Sequence, residues 1–129
     1  MNRFLWNNLW SILWGLVILV LLLMPGGLLP KVPSWVDSLH PDKLVHLFIF
    51  GIFAFLLIHG FKKPGSPPAV IRYAMLIAFF ISIFTGGATE LIQGWCIPFR
   101  TAEWGDFFAD AVGTLAGVGI SKWELGIGS

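Results

Sequence analysis

Ionisable and amide side chains interrupt the apolar stretches of this sequence at three places, and their spacing groups them. Lys43 and His46 are three residues apart, and so are Glu90 and Gln93. Residues three or four apart lie on one face of a helix, so each pair predicts a polar stripe. A further stripe has the spacing i, i+3 and i+7, and its members are acidic: Glu103, Asp106 and Asp110.

These residue types could support a metal site or an acid–base site. His46 with Glu90, Asp106 and Asp110 offers nitrogen and oxygen ligands in combinations typical of zinc or magnesium. There is no local two-ligand signature such as H-E-x-x-H, so the sequence does not single out a metal. Alternatively, Asp106 or Glu90 beside His46 could move protons during hydrolysis or group transfer. His46, Glu90 and Asp106 are therefore the candidates for catalysis.

A third kind of site is a polar pocket for an anionic or amphiphilic head group. Lys43 and Arg100 could hold a phosphate or carboxylate, the arginine in bidentate fashion. The carboxylates would then hold the amines of the ligand, with Gln93 beside them. Residue types alone do not choose among the three sites, and they specify no cofactor.

Charges at helix ends also have a purely structural explanation. Asp42, Lys43, Arg100 and Glu103 could be ordinary interfacial charges, and a carboxylate in a first helical turn offsets the helix dipole. Gln93 could simply bond one helix to another. The residues deeper in apolar runs could form a structural hydrogen-bonded network: His46, Glu90, Asp106 and Asp110.

Composition places the chain among membrane proteins. Of its 129 residues 57% are hydrophobic and only 12% are charged, with a mean hydropathy of +0.82. A soluble domain carries about 25% charged residues. The net charge is +1 and there is no basic run, so nucleic acid is not an expected partner. Cys96 is the single cysteine, which excludes an intrachain disulfide.

Four apolar segments predict an all-α, single domain over residues 1–129 with transmembrane helices at about 4–24, 44–61, 71–95 and 103–122. About 20 apolar residues suffice to cross a bilayer. The fourth segment is weaker because it contains two aspartates. The first is predicted to be a retained anchor, since no small-x-small cleavage site follows it and Trp6, Trp10 and Trp14 are typical of interfacial anchors. Proline- and glycine-rich turns at about 28–41, 62–68 and 97–101 separate the segments.

Basic residues in the short loops predict the orientation. One side would hold five of them: Arg3, Lys62, Lys63, Arg72 and Lys122. The other side would hold three: Lys31, Lys43 and Arg100. The excess favours cytoplasmic amino and carboxyl termini. In an alternating four-helix path, all the polar stripes then meet at the extracytoplasmic face.

The same polar positions form a motif series that resembles the VanZ-like membrane protein family. The family pattern reads approximately D-K-x-x-H, E-x-x-Q, then R-x-x-x-x-x-D-x-x-x-N-x-x-G. Its elements match this chain in order at residues 42–46, 90–93 and 100–113, within a region from Asp42 to Gly117. One position departs from the pattern, because Asp110 stands where the family commonly has asparagine.

The resemblance implies a multi-pass protein of the bacterial cytoplasmic membrane that acts on the cell envelope. The founding member of the family is associated with low-level resistance to the glycopeptide teicoplanin, whose target lies outside the cell. The leading hypothesis is therefore a polar, outward-facing pocket for a lipid-linked or glycopeptide-like ligand. Two alternatives stay open: an intramembrane hydrolase or transferase that uses a metal or a His–carboxylate pair, and a structural or partner-binding membrane subunit.

Overall fold

The computed structural model of the protein describes residues 3–23, 41–96 and 104–128, with 92% of them helical and no β-strand among them. The predicted all-α class is confirmed for this part of the chain. The predicted turn at residues 28–41, apart from Pro41, and the predicted turn at residues 97–101 lie outside the described residues, as do Arg100 and Glu103. Asp42 lies in a described helix, but its side chain lies outside the description.

The first apolar segment forms two nearly continuous helices, α1 (Arg3–Asn7) and α2 (Leu9–Leu23), where the sequence predicted one. The interruption is at Asn8, whose backbone N–H is shared between the carbonyl oxygens of Phe4 and Leu5 at 3.2 Å each. The Asn8 amide also donates to the Phe4 carbonyl at 2.9 Å. Asparagine side chains compete for backbone groups in this way, which explains the local break.

The described residues form four more helices: α3 (Pro41–Phe61), α4 (Pro68–Arg72), α5 (Ala74–Cys96) and α6 (Trp104–Gly128). α3 begins three residues before the predicted start because proline is favoured in the first helical position. The predicted helix at 71–95 is interrupted at Tyr73, which separates α4 from α5. α6 continues six residues past the predicted end at 122, since charged residues end an apolar run without ending a helix.

The long helices alternate in direction. At one end of the bundle, Phe4 stacks on Phe61 with ring centroids 6.1 Å apart, and the Asn7 amide donates to the Pro64 carbonyl at 2.8 Å. At the other end, the Gln93 amide donates to the Leu22 carbonyl at 2.5 Å. We call this second end the site end. There α2 and α5 finish and α3 and α6 begin, as the sequence predicted.

Glycines allow the backbones of α3 and α6 to touch. A Cβ added at Gly113 would collide with the carbonyl oxygen of Leu47, and one added at Gly117 would collide with that of Gly51. These two glycines therefore permit the close helix packing that small residues allow. This close contact holds the amino-terminal turns of α3 and α6 side by side.

The described residues place many polar groups inside and many large apolar groups outside. The buried polar side chains number twelve: Asn8, Ser11, His46, Ser66, Ser82, Thr89, Glu90, Gln93, Asp106, Asp110, Thr114 and Ser121. Large apolar side chains lie on the outer surface, with Phe84 76% and Trp104 81% exposed. The segments Lys43–Phe61 and Ala74–Trp95 have mean hydropathies of 2.3 and 1.8, and each is long and apolar enough to cross a membrane.

Candidate functional site

A buried histidine and a buried aspartate from different helices form the centre of the site. His46, in the second turn of α3, is 2% exposed, and Asp110, in the second turn of α6, is 0% exposed. The His46 Nδ1 atom lies 2.6 Å from Asp110 Oδ1. The Phe50 ring lies nearly parallel to the imidazole, with centroids 6.4 Å apart, on the bundle-interior side of the site. The carboxylate and the ring together hold the imidazole in one orientation.

Asp106 and Lys43 extend this centre toward the surface. Asp106 Oδ2 lies 3.9 Å from His46 Nε2, on the side of the imidazole opposite Asp110. The other carboxylate oxygen of Asp106 lies 3.5 Å from Lys43 Nζ. The Lys43 side chain is 34% exposed, whereas that of Asp106 is 8% exposed. The charged edge of the site is therefore reachable from outside the bundle.

Gly105 leaves room for the side chain of Lys43. A Cβ added at Gly105 would lie 2.7 Å from Lys43 Cε, so the lysine stem passes over the start of α6 where a larger residue would obstruct it. This contact explains why the ammonium can lie beside Asp106, one residue further along α6. The sequence gives no signal for such a contact beyond the glycine itself.

A third helix, α5, contributes Glu90 to the site. Glu90 is 5% exposed and projects from α5. One ligand atom from each of His46, Glu90 and Asp110 lies within 4.8 Å of the others, so groups from three helices converge. Three such atoms around one point are compatible with coordination of a single ion.

Gly86 makes room for the Asp110 carboxylate against α5. A Cβ added at Gly86 would lie 2.9 Å from Asp110 Oδ2. That oxygen has no hydrogen-bond partner within residues 3–23, 41–96 and 104–128. Since Gly86 and Glu90 are four residues apart, both lie on the face of α5 that meets Asp110.

The structure brings together five of the seven residues that the sequence predicted as ligand-binding: Lys43, His46, Glu90, Asp106 and Asp110. Gln93 has a different contact, because its amide donates to the Leu22 carbonyl and so joins α5 to α2. This is the helix-to-helix bond that the sequence offered as its alternative role. Arg100 is outside the described residues, so its predicted place in the site is not described.

A neutral polar pair lies one helical turn deeper than the charged centre. Ser82 Oγ and Thr114 Oγ1 are 2.6 Å apart and both side chains are fully buried. Ser82 precedes Gly86 by four residues and Thr114 follows Asp110 by four, so the same two faces of α5 and α6 carry both layers. Sequence reasoning missed this pair, although two hydroxyl residues inside apolar runs were a usable signal.

Trp14 also differs from expectation. Its indole Nε1–H donates to the Ile49 carbonyl at 2.8 Å, which ties α2 to α3. Trp6 and Trp10 are 58% and 66% exposed, so only these two keep the outward position that an interfacial anchor needs. The Trp14 bond lies within one turn of His46 and so helps to position α2 near the site.

Comparison with known protein families, with curated proteins and with solved structures finds no match. The class of the protein therefore rests on its fold and its site alone. They define an all-helical protein with a buried histidine–carboxylate centre shared by three helices at one end of the bundle.

Proposed function

We propose that this chain is a four-span protein of the bacterial cytoplasmic membrane, of the VanZ-like type, that holds the head group of an envelope ligand at the site end. The ligand would be a lipid-linked or glycopeptide-like molecule of the outer leaflet. Binding it would change the susceptibility of the cell to teicoplanin-type antibiotics. Both termini would be cytoplasmic, and the site would face outward.

The membrane part of the proposal is supported by the distribution of polarity. α3 and α5 contain segments that are long and apolar enough to cross a bilayer. α1 has 5 residues and α2 has 15, and with Asn8 between them they span residues 3–23, while α6 has 25 residues; each of these two segments is also long enough at about 1.5 Å per residue. Buried polar groups and exposed aromatic groups suit a bundle surrounded by lipid, where the backbone is satisfied within helices.

The observation that carries the functional part is the convergence of charged groups from α3, α5 and α6. Ionisable residues within membrane helices are costly, at about 2.5–3.5 kcal/mol each on insertion scales, and are functional candidates by default. Here Lys43, His46, Glu90, Asp106 and Asp110 share one end of the bundle.

The charges also indicate the chemistry of the ligand. Three carboxylates lie in the described part of the site, so an amine of the ligand would find acceptors there. Lys43 is half-buried at the edge and offers an ammonium to a phosphate or carboxylate of the ligand. A head group with both charges, such as a diphosphate-linked sugar peptide, has this character. The motif order at residues 42–113 supports the same assignment.

Antibiotic susceptibility tests the proposal in cells. Expression of the intact chain in a teicoplanin-susceptible bacterium should raise the minimum inhibitory concentration. Asp106→Asn and Lys43→Met should abolish that rise, because they remove the charges at the accessible edge. His59→Gln is the matched control, since His59 lies on the same helix at the opposite end, where its Nε2 is 3.5 Å from Glu124. No rise, or an equal rise with all variants, would refute the proposal.

A further inference from the structure

We infer that His46, Glu90 and Asp110 form a binding site for one divalent transition-metal ion of the zinc class. Each residue comes from a different helix and all three side chains are buried. Their nearest ligand atoms lie within 4.8 Å of one another. The site goes beyond head-group binding, and it stands whether or not the chain binds an envelope ligand.

The donor set selects the kind of ion. Imidazole nitrogen favours zinc and its first-row neighbours, whereas magnesium and calcium prefer oxygen alone. One imidazole and two carboxylates leave a fourth tetrahedral position for water or substrate, as in catalytic zinc sites. A neutral imidazole and two carboxylates carry a charge of −2, which a divalent ion offsets. That balance favours the ion in a buried, low-dielectric site.

Asp110 provides the clearest sign that a ligand atom is available. Its Oδ2 is buried against α5 and has no hydrogen-bond partner among the described residues, although the side chain is fully buried. Such an atom loses the hydration it had in the unfolded chain without regaining a bond, which is unfavourable. Gly86 leaves the space beside this oxygen that a side chain would fill.

The ion would compete with the hydrogen bond between His46 and Asp110. Two ligand atoms about 2.1 Å from one zinc ion lie about 3.4 Å apart at a tetrahedral angle, whereas Nδ1 and Oδ1 are 2.6 Å apart. A movement of less than about 1 Å, within reach of side-chain rotation, therefore converts the hydrogen bond into a pair of ligands. In a neutral imidazole the proton that makes this bond is then carried by Nε2, so ligation by Nδ1 needs the tautomer that is protonated at Nε2.

Asp106 and Lys43 are assigned outside the ligand set. Asp106 lies 3.9 Å from the other imidazole nitrogen and 3.5 Å from the Lys43 ammonium. It therefore neutralises Lys43 and can accept a hydrogen bond from a ligating histidine through its second nitrogen, the arrangement that fixes ring orientation in many zinc sites.

Zinc and cobalt titrations of the purified full chain in detergent, with no envelope lipid added, test the inference. The wild type should bind one Zn²⁺ per chain, and Co²⁺ should give visible absorption bands of a tetrahedral site. His46→Gln, Glu90→Gln and Asp110→Asn should each weaken Zn²⁺ binding at least about tenfold, since each loses a ligand. His59→Gln, which alters a histidine at the opposite end of α3, should bind as the wild type does.

Two results of these titrations would contradict the metal site. If the wild type binds no Zn²⁺ stoichiometrically, or gives no tetrahedral Co²⁺ spectrum, the inference is wrong, and this measurement does not depend on any variant folding. If Zn²⁺ binds equally to the wild type, Glu90→Gln and Asp110→Asn, the ion lies elsewhere and the inference is again wrong. Zinc binding in a chain that shows no teicoplanin phenotype would refute the proposed function and leave the metal site intact.

Discussion

His46 Nδ1 and Asp110 Oδ1 lie 2.6 Å apart although the two residues are 64 positions apart in the sequence. α3 and α6 run parallel, and their glycine contacts bring the backbones close enough for this short bond. The bond and the glycine contacts therefore join the same two helices. Together they hold in place the two helices that supply four of the five ionisable residues described in the site: Lys43, His46, Asp106 and Asp110.

The His46–Asp110 pair should contribute measurably to stability. Asp110→Ala removes the acceptor of a buried histidine, so we expect the free energy of unfolding in detergent to fall by about 1–3 kcal/mol. A double-mutant cycle with His46→Ala should give a coupling energy of at least about 1 kcal/mol. Denaturant titrations followed by tryptophan fluorescence measure both quantities.

Ser121→Ala is the control for this experiment. Ser121 lies on the same helix and is fully buried, but its hydroxyl has no hydrogen-bond partner among the described residues. We expect its loss to change stability little. A coupling energy near zero between His46 and Asp110 would mean that the short distance does not reflect a stabilising bond.

We predict opposite effects on stability when the same substitution, glycine to alanine, is made at two positions of α6. Gly113→Ala would push a methyl group into the Leu47 backbone carbonyl, and backbone cannot move aside as a side chain can. We expect it to destabilise the protein by about 1–3 kcal/mol, as overpacking does. Gly119→Ala meets nothing within 4 Å, so the gain in helix propensity should leave stability equal or raised by up to about 1 kcal/mol.

Thermal unfolding of both variants in the same detergent checks this pair. If Gly113→Ala proves as stable as Gly119→Ala, α3 and α6 do not touch through their backbones. The position of His46 beside Asp110 would then lose its structural explanation.

Much of the site could be predicted from residue types and spacing. The i, i+3 relation of Lys43 to His46 and the i, i+4 relation of Asp106 to Asp110 define helix faces, and an alternating helix path places both pairs at one end. That His46, Glu90 and Asp110 meet depends on helix rotation, which apolar residues on every side leave undetermined. In the structure, the contacts of Gly113 and Gly117 with the α3 backbone set the rotation of α6 against α3.

Contacts with backbone carbonyls could not be predicted. Gln93 bonds to the Leu22 carbonyl and Trp14 to the Ile49 carbonyl, and every residue has a carbonyl, so no sequence signal marks these two. The predicted helix ends were also wrong where a helix continues beyond the apolar residues on which the prediction was based. α6 continues through Lys122 to Gly128 because a charged residue lowers hydropathy without disfavouring the helix.

The proposed orientation predicts which surface positions face outward. In a chain whose Cys96 is replaced by serine, Trp104→Cys at the start of α6 should react with a membrane-impermeant maleimide on intact cells. Lys63→Cys, in the exposed turn at the other end, should react only after permeabilisation. Both original side chains are exposed, so a difference in labelling reports the side of the membrane on which each position lies. The reverse labelling pattern would place the site in the cytoplasm and contradict an outer-leaflet ligand.

Direct binding of an envelope ligand tests the central claim, that the charged groups of α3, α5 and α6 form one ligand-binding site. The probe is a polyprenyl-diphosphate-linked peptidoglycan precursor, titrated against the full chain in lipid nanodiscs. The wild type and His59→Gln should bind it equally. Lys43→Met and Asp106→Asn should each weaken binding about 10- to 100-fold, which corresponds to one charge-assisted hydrogen bond of about 1.5–3 kcal/mol. No binding by the wild type, or equal binding by all four proteins, would contradict the claim.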